Sequence, residues 1–156
     1  MSEFTPWSPL QEKIGKFFIK RYGKLQVKIY ELTGGRLMNT FLGAPCAILT
    51  TTGAKTGAIR KTPLLYLKHK NDIIMVASQG GFSSTPFWYR NLQKNPDARI
   101  QIGSDISTVK ARDASDSEKQ ALWPLLDAMY SGYAEYRART DGVREIPIVI
   151  FSTARS

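Results

Sequence analysis

Between Cys46 and Phe151 the apolar runs are short, and turn residues separate most of them where regular crossover helices would otherwise stand. Cys46 to Thr52, Arg60 to Lys68, Ile73 to Ser78, Ala98 to Ile102, Ser107 to Arg112 and Ile146 to Phe151 each read as a strand. Glycine-rich or polar turns such as His69-Lys70-Asn71-Asp72 and Gly103-Ser104-Asp105 join several neighbours. Strands joined by such short turns run antiparallel, because a parallel pair needs a long crossover. The chain is therefore expected to be mainly β with helices: an antiparallel sheet or small barrel of about five to seven strands and about three or four helices. In the strand from Arg60, Leu65 and Leu67 are expected on one face, Leu64 and Tyr66 on the other.

Helical signals flank these strands. From Ser8 to Thr33, Leu10, Ile14, Phe17, Tyr22, Leu25, Ile29 and Leu32 recur at helical spacing, with Lys13, Lys16, Lys20, Arg21, Lys24 and Lys28 among them. Gly34-Gly35 is the expected stop. Thr85-Pro86 reads as a cap followed by a first-turn proline, with Phe87 to Lys94 continuing. Ser115 to Tyr130 begins with the spacing of a capping box, Ser115 to Glu118. The chain of 156 residues, without internal repeats, fits one domain: an amphipathic helix over 1–35 and the β domain over 36–156.

The chain holds one cysteine, Cys46, and one histidine, His69. One cysteine excludes an intrachain disulfide framework and a cysteine zinc cluster, and a single histidine argues against a catalytic triad and most zinc sites, so chemistry here would ride on a cofactor and no metal site is expected. Cys46 reads as a buried small residue and His69 as an exposed turn residue. A formal charge of +9 favours anionic partners. Met1 to Leu10 lacks a signal pattern, and no apolar run reaches the ~20 residues of a membrane span. A cytoplasmic protein is expected. Its basic helix either packs on the domain or attaches it to an anionic membrane.

The segment Thr50-Thr51-Thr52-Gly53-Ala54-Lys55-Thr56-Gly57-Ala58-Ile59-Arg60 has the composition of an anion cradle, with free backbone, hydroxyls and two cations. It lacks the GxxxxGK[ST] spacing of a Walker loop and leads into a strand, and it also reads as an ordinary glycine-rich hairpin. Pro63 marks a strand edge, a bulge or a ligand-facing stretch. Gly80-Gly81-Phe82-Ser83-Ser84 before Pro86 is a second candidate anion site or a plain loop. Tyr130, Tyr133 and Tyr136 share one face if their segment is helical, and form either a wall for a flat polar ligand or core packing.

Taken in order, these segments resemble the deazaflavin-dependent nitroreductase family, whose members reduce quinones, nitro compounds or activated alkenes with reduced coenzyme F420. The resemblance runs from about Gly43 to Phe151, through Leu49 to Gly57, Arg60, Thr62-Pro63-Leu64, Ala77 to Gly81, Pro86 to Leu92, Tyr130 to Tyr136, Thr140-Asp141 and Ile146-Pro147-Ile148. It implies a split β-barrel, like that of flavin-mononucleotide-binding oxidases. It implies that Ala54, Lys55, Thr56, Gly57, Arg60 and Lys61, with Phe87, Trp88, Tyr89, Arg90 and Asn91, hold the coenzyme's phosphate and anionic tail. Thr62, Pro63, Leu64, Leu65, Val76, Ala77, Ser78 and Gln79 would hold the deazaflavin ring. Ser78 and Tyr133 are the implied catalytic residues, with Tyr130, Tyr133 and Tyr136 at the electron acceptor. Two departures stand out: Gln79 where the family often has lysine, and Leu65 where nitroreductase-type members can carry tyrosine, which here falls one residue on at Tyr66. The expected partners are a small quinone, enone or nitro acceptor and an anionic membrane surface, with no nucleic acid. An FMN-dependent reductase on the same barrel and a non-catalytic basic membrane- or ligand-binding module are the alternatives.

Overall fold

The computed structural model describes residues 4–41 and 43–153, so residues 1–3, 42 and 154–156 of the two expected segments lie outside the described residues. Its strands are β1 (Thr40–Phe41), β2 (Ala44–Thr52), β3 (Ile59–Leu65), β4 (Leu67–His69), β5 (Asp72–Val76), β6 (Asp97–Ile102), β7 (Asp105–Asp113) and β8 (Ile148–Thr153). The helices are α1 (Pro9–Leu32), α2 (Phe87–Lys94), α3 (Asp116–Met129) and α4 (Gly132–Thr140), with a 3-10 turn at Gln79–Gly81. The sheet order is β1-β2-β6-β7-β8-β5-β4, β3 lies outside this path and pairs with β2, and every pairing is antiparallel. The sheet curls until β3 touches β5, giving a split half-barrel.

Alternation divides the core in two. Ala47, Leu49, Met75, Ala77, Ile100, Val149 and Phe151 face the inside of the curl, where Trp88 and Leu92 of α2 close it. Ile74, Val76, Ile148 and Ile150 face outward and are covered by Leu122 and Leu126 of α3 and Tyr133 of α4. Leu64 and Tyr66 pack on the first cluster, Leu65 and Leu67 on the second, as period-two alternation requires. Cys46 is buried.

Several local expectations shift. The run from Arg60 to Lys68 divides at Tyr66 into β3 and β4, although the Tyr66 N–H still donates to Pro45 O of β2, in continuation of the β2–β3 register. His69 does not lie in a turn: it ends β4 opposite Asp72 and is half-buried. Thr85 is not the cap of α2. Pro86 holds that position in extended backbone, with no side-chain capping bond, so the proline stands one place before the first turn. The last strand starts at Ile148, two residues after Ile146, beyond Pro147. The Ser115–Glu118 capping box forms as its spacing implies.

The larger surprise is α1. Its ends fall at Ser8 and Thr33 as expected, yet its inward face carries Gly15, Gly23, Gln26 and Tyr30 and not the apolar stripe. A Cβ on Gly15 would sit 2.6 Å from Phe82 Cζ, and one on Gly23 would rest 3.7 Å from Pro63. Glycine is what allows α1 to lie this close. Leu10, Ile14, Phe17, Phe18, Leu25 and Leu32 are 49–77% exposed. Periodicity identifies an amphipathic helix but cannot say which stripe docks when small residues form a second one. No described helix is long and apolar enough to cross a membrane.

Candidate active site

The β2–β3 turn is folded by its own backbone. Gly53 N donates to Ala58 O at 2.7 Å, Gly57 N to Gly53 O at 2.9 Å, and Ala58 N to Thr56 Oγ1 at 3.2 Å. Gly57 has φ +73°, a conformation costly for any residue with a Cβ. Two side chains of α2 then fasten this turn. Asn91, only 6% exposed, accepts from Ala54 N at 3.0 Å and donates to Thr51 Oγ1 at 3.1 Å. Lys94 Nζ donates to Ala54 O at 2.7 Å. Lys55, Arg60, Arg90 and Lys94 thus converge from the turn and the exposed side of α2, and none forms an ion pair with a described carboxylate. An uncompensated cation group around free backbone suits a polyanionic ligand tail.

The other expected α2 residues divide by helical phase. Phe87 is exposed beneath the Arg90 guanidinium, at 5.6 Å from its ring centre. Trp88 is core. Tyr89 Oη donates to Asp113 Oδ1 at 2.8 Å, and burial with that carboxylate pushes its hydroxyl up to about 12. On β3, alternation sends Thr62 to the face of Arg60 and Leu64, while Lys61, Pro63 and Leu65 take the opposite one. Lys61 is paired with Glu31 of α1, and Pro63 lies against Gly23. β3 pairs with β2 alone, so Pro63 interrupts no ladder on its free edge.

The tyrosines meet, though not on one helix. Tyr130 caps the end of α3, while Tyr133 and Tyr136 belong to α4. Gly132 permits the fold-back, since a Cβ there would sit 2.4 Å from Tyr130 Cζ. The three rings lie 5.0–6.4 Å apart, and the Tyr130 and Tyr136 hydroxyls share a 2.8 Å hydrogen bond. Tyr133 is 4% exposed, yet its hydroxyl has no hydrogen-bond partner among the described residues. Burial, reinforced by Tyr130, pushes its pKa up from the ordinary tyrosine value. Burial and the hydrogen bond shared with Tyr130 push Tyr136 up as well.

α4 packs on the turn that follows β5. Gly81 lies under Tyr136, where a Cβ would be 3.1 Å from Tyr136 Cα. Val76, Ala77, Ser78 and Gln79 therefore run beside the tyrosines, with Val76 in their cluster and Ala77 on the opposite face. Leu65 joins the tyrosine side while Tyr66 points into the barrel, so the one-residue displacement removes a phenol from this wall. Sequence reasoning passes over Trp7, Glu12 and Arg144 and reads Lys16 only as part of a basic helix face. All four bond to the turn after β5 from elements about 60 or more residues away, which no local pattern signals.

Comparison with known proteins identifies the family. The profile of the F420H(2)-dependent quinone reductase family matches residues 22–153. The F420H(2)-dependent quinone reductase Rv1261c of Mycobacterium tuberculosis is 36% identical over 133 residues, covering 83% of this chain and 88% of its own. The solved F420-H2 dependent reductase FDR-A matches with a TM-score of 0.64 at 37% identity, over 72% of this chain and 98% of its own. At 12% identity, the heme storage protein HutZ of Vibrio cholerae shares the fold alone, with a TM-score of 0.50 over 71% of this chain and 82% of its own. The non-catalytic alternative falls away with these matches, and the chain belongs to the F420H(2)-dependent quinone reductase family, as an F420-dependent reductase.

Proposed function

We propose that this enzyme reduces a quinone by two electrons, with Lys55, Thr56, Arg60, Arg90 and the Asn91-braced turn holding the anionic tail of F420. Lys55, Arg60, Arg90 and Lys94, four cations with no ion-pair partner among the described residues, are the complement that a polyanion needs. On this reading the flat ring lies against Leu65 and the Val76 to Gln79 segment, on the side of the three tyrosines. When bound, reduced F420 supplies a hydride from its C5 carbon. The chain's own part is alignment and charge stabilisation. Tyr133 Oη, with Ser78 Oγ beside the same turn, donates a hydrogen bond to the acceptor oxygen on which negative charge collects.

The observation that carries this reading is the placement of Tyr133: its ring is held between Tyr130 and Tyr136, and its hydroxyl, not sealed from solvent, has no hydrogen-bond partner among the described residues and is free to meet an acceptor. Equilibrium titration should show tighter binding of F420 than of FMN, and anaerobic mixing of reduced F420 with a quinone should oxidise it. Equal affinities, or no oxidation with any quinone, overturns the reading. Enones and nitroarenes serve as the competing acceptors.

A cytoplasmic enzyme that docks on an anionic membrane is the second part of the proposal. Leu10, Ile14, Phe17, Phe18 and Leu25 are exposed along α1 and bordered by Lys13, Lys20, Arg21, Lys24 and Lys28. Each basic residue near an anionic surface contributes about 1 kcal/mol, and inserted aromatics add apolar burial. Phosphatidylserine vesicles should sediment the protein at low salt and release it at high salt. The double substitution Phe17→Ser, Phe18→Ser should abolish binding, and equal sedimentation of the two proteins refutes docking through α1.

A further inference from the structure

The turn after β5 has an unusual hydrogen-bond economy. Its carbonyls face one arginine: Arg144, in the segment between α4 and β8, donates from Nε to Phe82 O at 2.9 Å, from Nη1 to Ala77 O at 3.2 Å and from Nη2 to Ser78 O at 2.8 Å. Among the described residues no carboxylate lies within ion-pair distance of this half-buried guanidinium; backbone carbonyls take its hydrogen bonds, and Glu12 supports its charge at longer range. From the other side α1 and the segment before it hold the same turn. Trp7 Nε1 donates to Gly80 O at 2.9 Å, and Glu12 accepts from Ser83 N at 2.7 Å and Ser83 Oγ at 2.8 Å. Lys16 Nζ donates to Ser84 Oγ at 2.7 Å.

With its carbonyls so occupied, the turn is locked in a right-handed residue followed by left-handed ones. Ser78 lies at φ −82°, ψ −34°, Gln79 at φ +45° and Gly80 at φ +65°. That succession converges consecutive N–H groups into a concavity for negative charge. The N–H groups of Ser78, Gln79 and Gly80 have no acceptor among the described residues, whereas those of Ala77, Gly81, Phe82 and Ser83 are all bonded. Gln79 is one of only three described non-glycine residues with positive φ, and needs an external restraint to stay there.

We infer that Arg144 is a positioning residue of the redox site: its fork on the Ala77, Ser78 and Phe82 carbonyls holds Ser78, Gln79 and Gly80 as a backbone nest for the electron-rich edge of the coenzyme ring. The inference rests on the coenzyme reading above. The nest puts partial positive charge where family members often carry a lysine and this chain has Gln79. A lysine ammonium at position 144 cannot span three carbonyls, so charge alone does not replace the fork.

Two measurements decide it. In the wild-type protein, amide hydrogen exchange followed by NMR should show that F420 slows Ser78, Gln79 and Gly80 beyond the bonded amides of Gly81 and Phe82. In Arg144→Lys, F420 should bind about tenfold more weakly, with faster exchange across the turn and an unchanged fluorescence titration stoichiometry. Adding Gln79→Gly to Arg144→Lys should recover part of the affinity, because glycine adopts the left-handed conformation unaided. Wild-type amides unprotected by bound F420, or an Arg144→Lys protein that folds and binds as wild type does, overturns the inference. If Arg144→Lys does not fold, the wild-type exchange measurement decides alone. Failure of F420 to bind the wild type would instead overturn the coenzyme reading, and this inference with it.

Discussion

Asn91→Ala separates the architecture of the cradle from its charge. The side chain is buried and makes two hydrogen bonds, from Ala54 N at 3.0 Å and to Thr51 Oγ1 at 3.1 Å. Each is worth about 1 kcal/mol net. Thr51 is 2% exposed, so its oxygen has no access to replacement water, whereas half-exposed Ala54 can recruit one. The loss should therefore reach about 2–3 kcal/mol once the unsatisfied group and the small void are included. For a chain of this length that lowers the melting midpoint by about 5–10 °C. Urea unfolding should show a lower midpoint with an unchanged slope, because the exposed surface is the same. Fluorescence titration should show weakened F420 binding, since the turn bearing Lys55 is then fastened to α2 by Lys94 alone. Asn91→Asp is the sharper companion. Its carboxylate keeps the acceptor for Ala54 N, and the Thr51 hydroxyl can turn to donate to it, so less stability is lost. It places negative charge beside Lys94 and the anion site. F420 affinity in this variant should fall as pH rises through the titration of the new carboxyl group, while wild-type affinity holds. An alanine variant within about 0.5 kcal/mol of wild type, or an aspartate variant that binds F420 as wild type does at high pH, would refute the reasoning.

Tyr133→Phe should lower turnover with quinone and leave F420 affinity intact, since the hydroxyl acts on charge that develops during reaction; an unchanged kcat with every acceptor would leave Tyr133 as packing. Lys55→Ala and Arg60→Ala should each weaken F420 binding by about 1.5–3 kcal/mol, less at high salt, by titration at two ionic strengths. Glu118 is held at about 2, below its ordinary 4.5, by Arg112 and by the Ser115 N–H. A depressed carboxyl stabilises the fold above its unfolded pKa and loses that contribution as pH falls through its folded one. Glu118→Gln should therefore narrow the stability gap between pH 6 and pH 2 in urea unfolding. Gly81→Ala should destabilise the fold, because φ is +78° and the Cβ would press on Tyr136, as a thermal melt would reveal.

The strands and their faces were legible because each side chain's environment alternates with period two. Leu64 and Leu65 fell on the predicted sides. The β2–β3 turn was legible because its glycines and hydroxyls are contiguous. The docking face of α1 was not, since Gly15 and Gly23 carry no hydropathy signal and owe their role to Phe82 and Pro63, distant in sequence. Arg144 was invisible for a related reason: its partners are backbone carbonyls, and any residue type can supply those. Tyr130, Tyr133 and Tyr136 were grouped correctly by spacing, but through a helix break at Tyr130 that the spacing itself did not encode.

The bonds that seat α1 set an order of events in folding. Trp7 to Gly80, Glu12 to Ser83, Lys16 to Ser84 and Tyr30 to Gly103 each join residues 68 to 73 positions apart. A capped helix with local bonds forms in microseconds or less, long before such loops close. α1 therefore winds early and waits for the β5–α2 turn and the β6–β7 hairpin to exist before it has anything to dock on. Until then the nascent chain displays a basic, apolar helix with no barrel behind it, and the slow step is assembly of the sheet whose long-range pairings carry the contact order.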